Sequence, residues 1–228
     1  MKNTAIVTGA SSGIGREISR VLVEMGYEVY GFGREFPEEE VYFHPIVCDL
    51  LNTPELERQI KEIRRRNDVS LLVNNAGVGY YGLHEELNVQ KIQKLVRTNL
   101  EVPMVLTNLL LRDLKKYSGT VINISSVTAQ LSNPHGCAYG ATKAGLSSFS
   151  RSLFDEVRKY GVRVVTIQPD MTKTDLYRNA DFVQGEEEAS YLLPEEIAEA
   201  VRNILQMREG AVVTEITLRP QLHRIRRK

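Results

Sequence analysis

Short apolar, β-branched runs recur along the chain at residues 4–8, 28–32, 69–73, 120–124, 163–167 and 212–218. Each has strand length, and most are separated by longer stretches in which apolar residues return every three or four positions. The first such stretch is the clearest: Ile14, Ile18, Val21, Leu22 and Met25 form one stripe, and Gly26 closes it. Thr53, Pro54 and Glu55 open a second helix, with threonine as cap and proline at its first position, and Leu56, Ile60 and Ile63 continue its apolar face. A third run, from Asn88 to about Lys116, contains Pro103, which predicts a kink or break there. Strand alternating with helix under right-handed crossovers predicts an α/β fold, a doubly wound parallel sheet of about seven strands with helices on both faces. Residues 175–193 have no clear period and carry Gly185 and the acidic run Glu186, Glu187 and Glu188. They read as a mobile lid beside the strand ends.

Nothing in the composition divides the chain. Its 228 residues contain no linker, repeat or low-complexity break, so one domain is expected over residues 1–228. At this length roughly 70–75% of the unfolded surface is buried on folding, enough to dispense with a disulfide or structural metal. Lysine plus arginine equals aspartate plus glutamate, 29 of each, which excludes the charge excess that draws a protein to nucleic acid or an anionic membrane. The expected partner is a small molecule. Cys48 and Cys137 form no CxxC pair, and with four histidines they offer no metal-ligand spacing. A reducing, cytoplasmic setting follows as the expectation. No apolar window is long enough to span a membrane, and Met1 and Lys2 lead straight into a strand pattern in place of an export signal.

Chemistry concentrates at the strand ends. Thr8-Gly9-Ala10-Ser11-Ser12-Gly13-Ile14-Gly15 lies where the first strand turns into the first helix. Glycines there let the backbone approach a pyrophosphate, whose charge meets free N–H groups at the helix start. The spacing is GxxxGxG, and taken alone it is also compatible with a plain tight turn. Asn74-Asn75-Ala76-Gly77 follows the third apolar run, Ser125-Ser126 the fourth, and Tyr139 and Lys143 lie four apart, on one face of a helix. Together these segments resemble the short-chain dehydrogenase/reductase family from about residue 3 to about residue 218. The likeness rests on TGASSGIG, NNAG, the YxxxK pair, a serine thirteen residues before the tyrosine, and Asn99 in the helix after NNAG.

The resemblance implies a Rossmann fold and a catalytic set of Asn99, Ser126, Tyr139 and Lys143. Tyr139 would be the general acid for carbonyl reduction. A free phenol has a pKa of roughly 10, and a nearby lysine cation favours the phenolate. Lys143 would lower that pKa and bond the nicotinamide ribose, Ser126 would donate to the substrate oxygen, and Asn99 would hold a water that resupplies protons. Ser125 competes with Ser126, and the spacing favours Ser126.

For the cofactor, the resemblance implies contacts from Gly9, Ser11, Ser12, Gly13, Ile14 and Gly15, from Asn75, Ala76 and Gly77, and from Tyr139 and Lys143. Asp49 and Leu50 would flank adenine, while Pro169, Thr172 and Thr174, in a stretch resembling PGxxxT, would hold the carboxamide. Gly33 stands where NAD-using relatives carry an acid and Arg34 follows it, which implies NADP(H) in preference to NAD(H). The function implied is an NADPH-dependent oxidoreductase acting between nicotinamide and a small ketone, aldehyde or alcohol, assembled as a homodimer or homotetramer through the helices holding Asn99 and Tyr139. A non-catalytic NADP(H)-binding regulator is the alternative, and the intact four-residue set argues against it.

The chain departs from the pattern at Asp170, where glycine is usual. Its carboxylate either faces the pocket or caps the next turn. With the 186–188 run, it predicts that neutral carbonyls are favoured over carboxylates. The stretch Glu215-Ile216-Thr217-Leu218-Arg219-Pro220 resembles the branch acting on serine and related 3-hydroxy acids. The basic residues Arg224, Arg226, Arg227 and Lys228 read as a solvated end. His135 and Cys137, just before Tyr139, either line the pocket or pack.

Overall fold

The computed structural model describes residues 3–36 and 42–228; Met1 and Lys2, read above as leading into a strand, lie outside them. In chain order the elements are β1 (Thr4–Thr8), α1 (Gly13–Glu24), β2 (Glu28–Gly33), β3 (His44–Val47), α2 (Thr53–Arg66), β4 (Val69–Asn74), α3 (Val89–Val96), α4 (Val102–Lys116), β5 (Thr120–Ile124), α5 (Cys137–Val157), β6 (Arg163–Pro169), β7 (Phe182–Gln184), α6 (Pro194–Leu205), β8 (Glu215–Leu218) and β9 (Ile225–Arg227), with short 3₁₀ turns between them. Seven strands form one parallel sheet in the order β3-β2-β1-β4-β5-β6-β8. The order reverses between β1 and β4, and at such a switch point the loops leaving neighbouring strands diverge and open a crevice.

Alternation along each central strand feeds two cores. Ala5, Val7, Leu71, Val73, Ile122 and Ile124 point to the layer holding α1 and α6, whereas Ile6, Leu72 and Val121 point to the layer of α2, α4 and α5. Strands covered on both faces read as continuous apolar runs, which is why these were visible in the sequence. Ion pairs tie neighbouring helices at the rim, Glu24 with Arg202 between α1 and α6, and Arg64 with Asp113 between α2 and α4. No helix among the described residues is long and apolar enough to cross a membrane.

Several local expectations shift. Asn52, and not Thr53, caps α2, its side chain accepting from Glu55 N at 3.4 Å while Thr53 and Pro54 enter the first turn. The break in the third helical run comes before Pro103, as a π turn over Arg97–Glu101. Pro103 has no N–H to close an α turn on the carbonyl of residue 99, so the chain widens there, and the proline itself sits harmlessly in the first turn of α4. The last sheet strand begins only at Glu215, because its register on β6 starts at Thr166. The segment 175–193 contains a 3₁₀ turn, strand β7 and a second 3₁₀ turn. The basic end is not simply solvated: β9 pairs antiparallel with β7.

Leu110 is fully buried between α4 and the sheet. Leu110→Ala is expected to lower the unfolding free energy by about 2–5 kcal/mol, read from denaturant midpoints, since the helix is pinned on both flanks and cannot collapse into the void.

Candidate active site

The crevice above β1 and β4 has a volume of about 500 Å³, and its floor is the turn from β1 into α1. Gly9 has φ +66, and a Cβ on Gly15 would stand 2.1 Å from the Gly9 carbonyl oxygen, so the helix can start this close only on glycine. Ser12 is the N-cap of α1 yet makes no side-chain cap bond. Among the described residues no side chain thus caps the first-turn N–H groups, an arrangement that suits an anion. Asn75 locks the turn from the other side, donating to the carbonyls of Thr8 at 3.0 Å and Gly9 at 3.2 Å.

Of the residues expected to touch cofactor, Gly9, Ser11, Ser12, Gly13, Ile14, Arg34, Asp49, Leu50, Asn75, Ala76, Gly77, Tyr139, Lys143, Pro169, Thr172 and Thr174 all line this one crevice. Gly15 lies beneath it, as a packing position. A Cβ on Gly13 would meet the Thr174 methyl at 3.1 Å, so the base of the 175–193 segment closes against the phosphate turn. These features fit a dinucleotide: a glycine cradle, an uncapped helix start and a long groove toward exposed Arg34.

Tyr139 and Lys143 emerge from α5 one turn apart, each only 4% exposed. Burial pushes the Tyr139 phenol up to about 12, against a smaller downward pull from the neighbouring Ser126 hydroxyl. The same burial pushes the Lys143 amine down to about 8. The expected lowering of the phenol by the lysine is therefore not what this state shows. Lys143 Nζ donates to the Ile124 carbonyl at 2.8 Å and lies 5.8 Å from the centre of the tyrosine ring, so loss of hydration outweighs the pair attraction.

The two serines differ in what they bond. Ser125 spends its hydroxyl on the Lys143 carbonyl and on Ser147, whereas the Ser126 hydroxyl accepts from Thr128 N at 3.2 Å and Thr128 Oγ1 at 3.0 Å and lines the crevice with Tyr139. Asn99 sits in the π turn, 1% exposed, its Oδ1 accepting from Val78 N at 2.9 Å and its amide donating to the Val78 carbonyl and to Thr142. Its side chain stands behind the crevice wall and holds the loop after β4.

Asp170 meets both expectations: it lines the crevice, and its carboxylate accepts from Met171 N at 2.8 Å and pairs with Arg219 at 3.0 Å. Glu186 and Glu187 pair with Arg226 and Arg224. Each of these three carboxylates, counted above as acidic charge near the pocket, thus has a guanidinium partner. His135 and Cys137 stand outside the crevice lining, and the main chain of His135 accepts from Gly82 N. Sequence reasoning missed an aromatic cluster: Tyr81 lies 5.7 Å from Tyr139, ring centre to ring centre, and packs on Tyr177 and Phe182. No local signal joins residues so far apart in the chain.

A family model described as short chain dehydrogenase matches residues 3–182. The chain belongs to the short-chain dehydrogenase family. Among its relatives, a serine 3-dehydrogenase from Agrobacterium fabrum is 34% identical over 184 residues, covering 77% of this chain and 74% of that one. An NADPH-dependent 3-dehydrocapnine reductase from Ornithobacterium rhinotracheale is 32% identical over 191 residues, covering 77% and 68%. Of solved structures, an alcohol dehydrogenase from the archaeon Thermococcus sibiricus, complexed with 5-hydroxy-NADP, superposes with a TM-score of 0.85 at 28% identity over 98% of both chains. This short-chain dehydrogenase thus shares family and fold with named oxidoreductases.

Two outcomes follow from the geometry. Gly15→Ala must push the turn apart and is expected to weaken dinucleotide binding at least tenfold in a fluorescence titration. Because Lys143 is held near 8 in the folded protein and returns to about 10.4 on unfolding, the unfolded chain binds the extra proton between those values. Stability contributed by this group rises with pH across that window. Wild type should gain on Lys143→Met by up to about 3 kcal/mol from pH 8 to pH 10.4, and parallel denaturation curves at all pH values would contradict it.

Proposed function

We propose that the protein is an NADPH-dependent oxidoreductase acting on a small ketone, aldehyde or alcohol. The observation that carries this reading is the meeting of Ser126, Tyr139 and Lys143 on the wall of the crevice whose floor is the glycine turn. When bound, the nicotinamide supplies or accepts the hydride. Tyr139 gives its hydroxyl proton to the carbonyl oxygen as negative charge develops there, and Ser126 donates a hydrogen bond to the same oxygen. The Tyr139 phenol, raised to about 12, holds its proton throughout the neutral range, which is the form reduction requires. Lys143 binds the nicotinamide ribose and, when charged, stabilises the phenolate until it is reprotonated. Asn99 positions Val78 beside them.

Arg34 supports the preference for NADPH. It is exposed on the crevice wall after β2, beside Gly33. Its guanidinium suits a ribose 2′-phosphate. A Cβ on Gly33 would meet the Phe36 ring at 2.9 Å, so a side chain there has to displace that ring. The names of two relatives, one an NADPH-dependent reductase and one crystallised with an NADP derivative, agree with this choice. The proposal includes a reducing, cytoplasmic setting and a homodimer or homotetramer.

Following NADPH absorbance across ketones, aldehydes and 3-hydroxy acids tests the reading directly. Tyr139→Phe is expected to lose about 10²–10⁴ in turnover while still binding NADPH, and near-normal turnover would sink the assignment. Arg34→Leu should weaken NADPH about 10- to 100-fold and leave NADH unchanged, as loss of a charge-assisted contact implies. A wild-type preference for NADH would contradict it. In the reductive direction kcat/KM is expected to fall above a pH of about 8 as Lys143 loses its proton. A profile flat to pH 10 would remove that role.

A further inference from the structure

The basic end of the chain is fastened to β7, which follows closely on the crevice-lining residues Tyr177, Arg178 and Asn179. Strand β9 pairs with β7 in the register Phe182 with Arg227, Val183 with Arg226 and Gln184 with Ile225. The pairing is extended by Lys228 N on the Asp181 carbonyl, Gly185 N on the Arg224 carbonyl and Leu222 N on the Ala189 carbonyl. Side chains reinforce it: Arg226 binds Glu186 at 2.7 Å, Arg224 binds Glu187, and Lys228 Nζ donates to the carbonyls of Tyr177 at 3.0 Å and Arg178 at 3.1 Å.

What β7 carries links this ribbon to the chemistry. Phe182 packs edge-on against Tyr81 at 5.1 Å and against Tyr177 at 5.6 Å, and Tyr81 leans on Tyr139. A file of rings thus runs from the ribbon through Phe182 and Tyr81 to Tyr139. Tyr177 and Arg178, whose carbonyls Lys228 holds, also line the crevice.

We propose that segment 222–228 is a strap that fixes Phe182 and the 177–190 roof over Tyr139, and that its pairing sets the size of carbonyl compound admitted. With the strap paired, the rings leave room beside Tyr139 for a small carbonyl; a bulky aryl or branched ketone needs the strap released. A two-stranded ribbon of three residues per strand is marginal by itself, and its ion pairs are exposed and screened by salt. Opening is therefore accessible without disturbing the sheet. The size-selection part rests on the oxidoreductase reading above; the strap itself does not.

The test compares wild type with Arg224→Glu/Arg226→Glu, with the charge swap that adds Glu186→Arg/Glu187→Arg, and with a chain ending at Leu222. Three quantities are read: hydrogen exchange of residues 181–190, nitration of Tyr81 and Tyr177 by tetranitromethane, and the ratio of kcat/KM for a bulky aryl ketone to that for a small aliphatic ketone, with NADPH. Charge reversal and truncation are expected to raise exchange, nitration and the ratio each at least tenfold, and the charge swap to restore all three toward wild type. Raised exchange without raised nitration would show that the ribbon opens without uncovering the rings, and would overturn the proposal. Unchanged exchange in both variants would overturn it at the first step. If no carbonyl compound is turned over, the oxidoreductase reading fails alone, and exchange and nitration still decide the strap.

Discussion

The site depends on one junction, where the end of β1 is fastened to the end of β4. The Thr8 hydroxyl accepts from the main-chain N–H groups of Asn75 and Ala76, both at 3.0 Å, and the Asn75 amide returns the contact to the Thr8 and Gly9 carbonyls. Parallel strands whose crossovers leave in opposite directions would otherwise let their loops separate. This reciprocal set holds them at a fixed gap, and the gap is the crevice. Gly15 packs against the Gly9 carbonyl from below, so the start of α1 is aimed into the same space. TGASSGIG and NNAG, far apart in sequence, are the two halves of one latch.

From that latch Ser126, Tyr139 and Lys143, the groups of the proposed reaction, follow by short rigid connections. Strand β5, next to β4, delivers Ser126 at its end, and α5 crosses behind it with Tyr139 and Lys143 on one face. Buried polar side chains stitch these layers together: Asn74 donates to Asn123, Asn123 to Ser150, and Ser125 to the Lys143 carbonyl. Each bond lies in a water-poor interior, where a missing partner costs more than a made bond gains. The constellation is thus fixed before any ligand arrives.

The legible parts of the sequence were those where one local cause dominates. Twice-covered strands had to be apolar, and α1 showed its stripe because only one face is buried. Strand β3 was not visible as a run because His44 and Pro45 are exposed at the sheet edge and only Ile46 is half-buried. The π turn was displaced from Pro103 because a proline perturbs the carbonyl four residues upstream more than its own position. The acidic run at 186–188 and the basic one at 224–228 were both plain, but charge carries no address. Only the pairing of β7 with β9 across some forty residues brings Arg226 to Glu186 and Arg224 to Glu187.

That pairing also bears on how a neutral chain distributes its charge. Among the carboxylates near the roof, Asp170, Glu186 and Glu187 each meet an arginine, and all three arginines come from the last ten residues of the sequence. Their contribution to the field in the crevice is that of dipoles, which falls off faster than the field of free anions. Floor and roof are therefore held by different forces. The floor rests on buried hydrogen bonds and close backbone contact, insensitive to salt; the roof rests on exposed ion pairs, each worth about 0–1 kcal/mol and weakened by salt. A floor that keeps its geometry and a roof that can open without disturbing the sheet follow from that division, and the sequence supplies it by placing its buried amides below the crevice and its paired charges above.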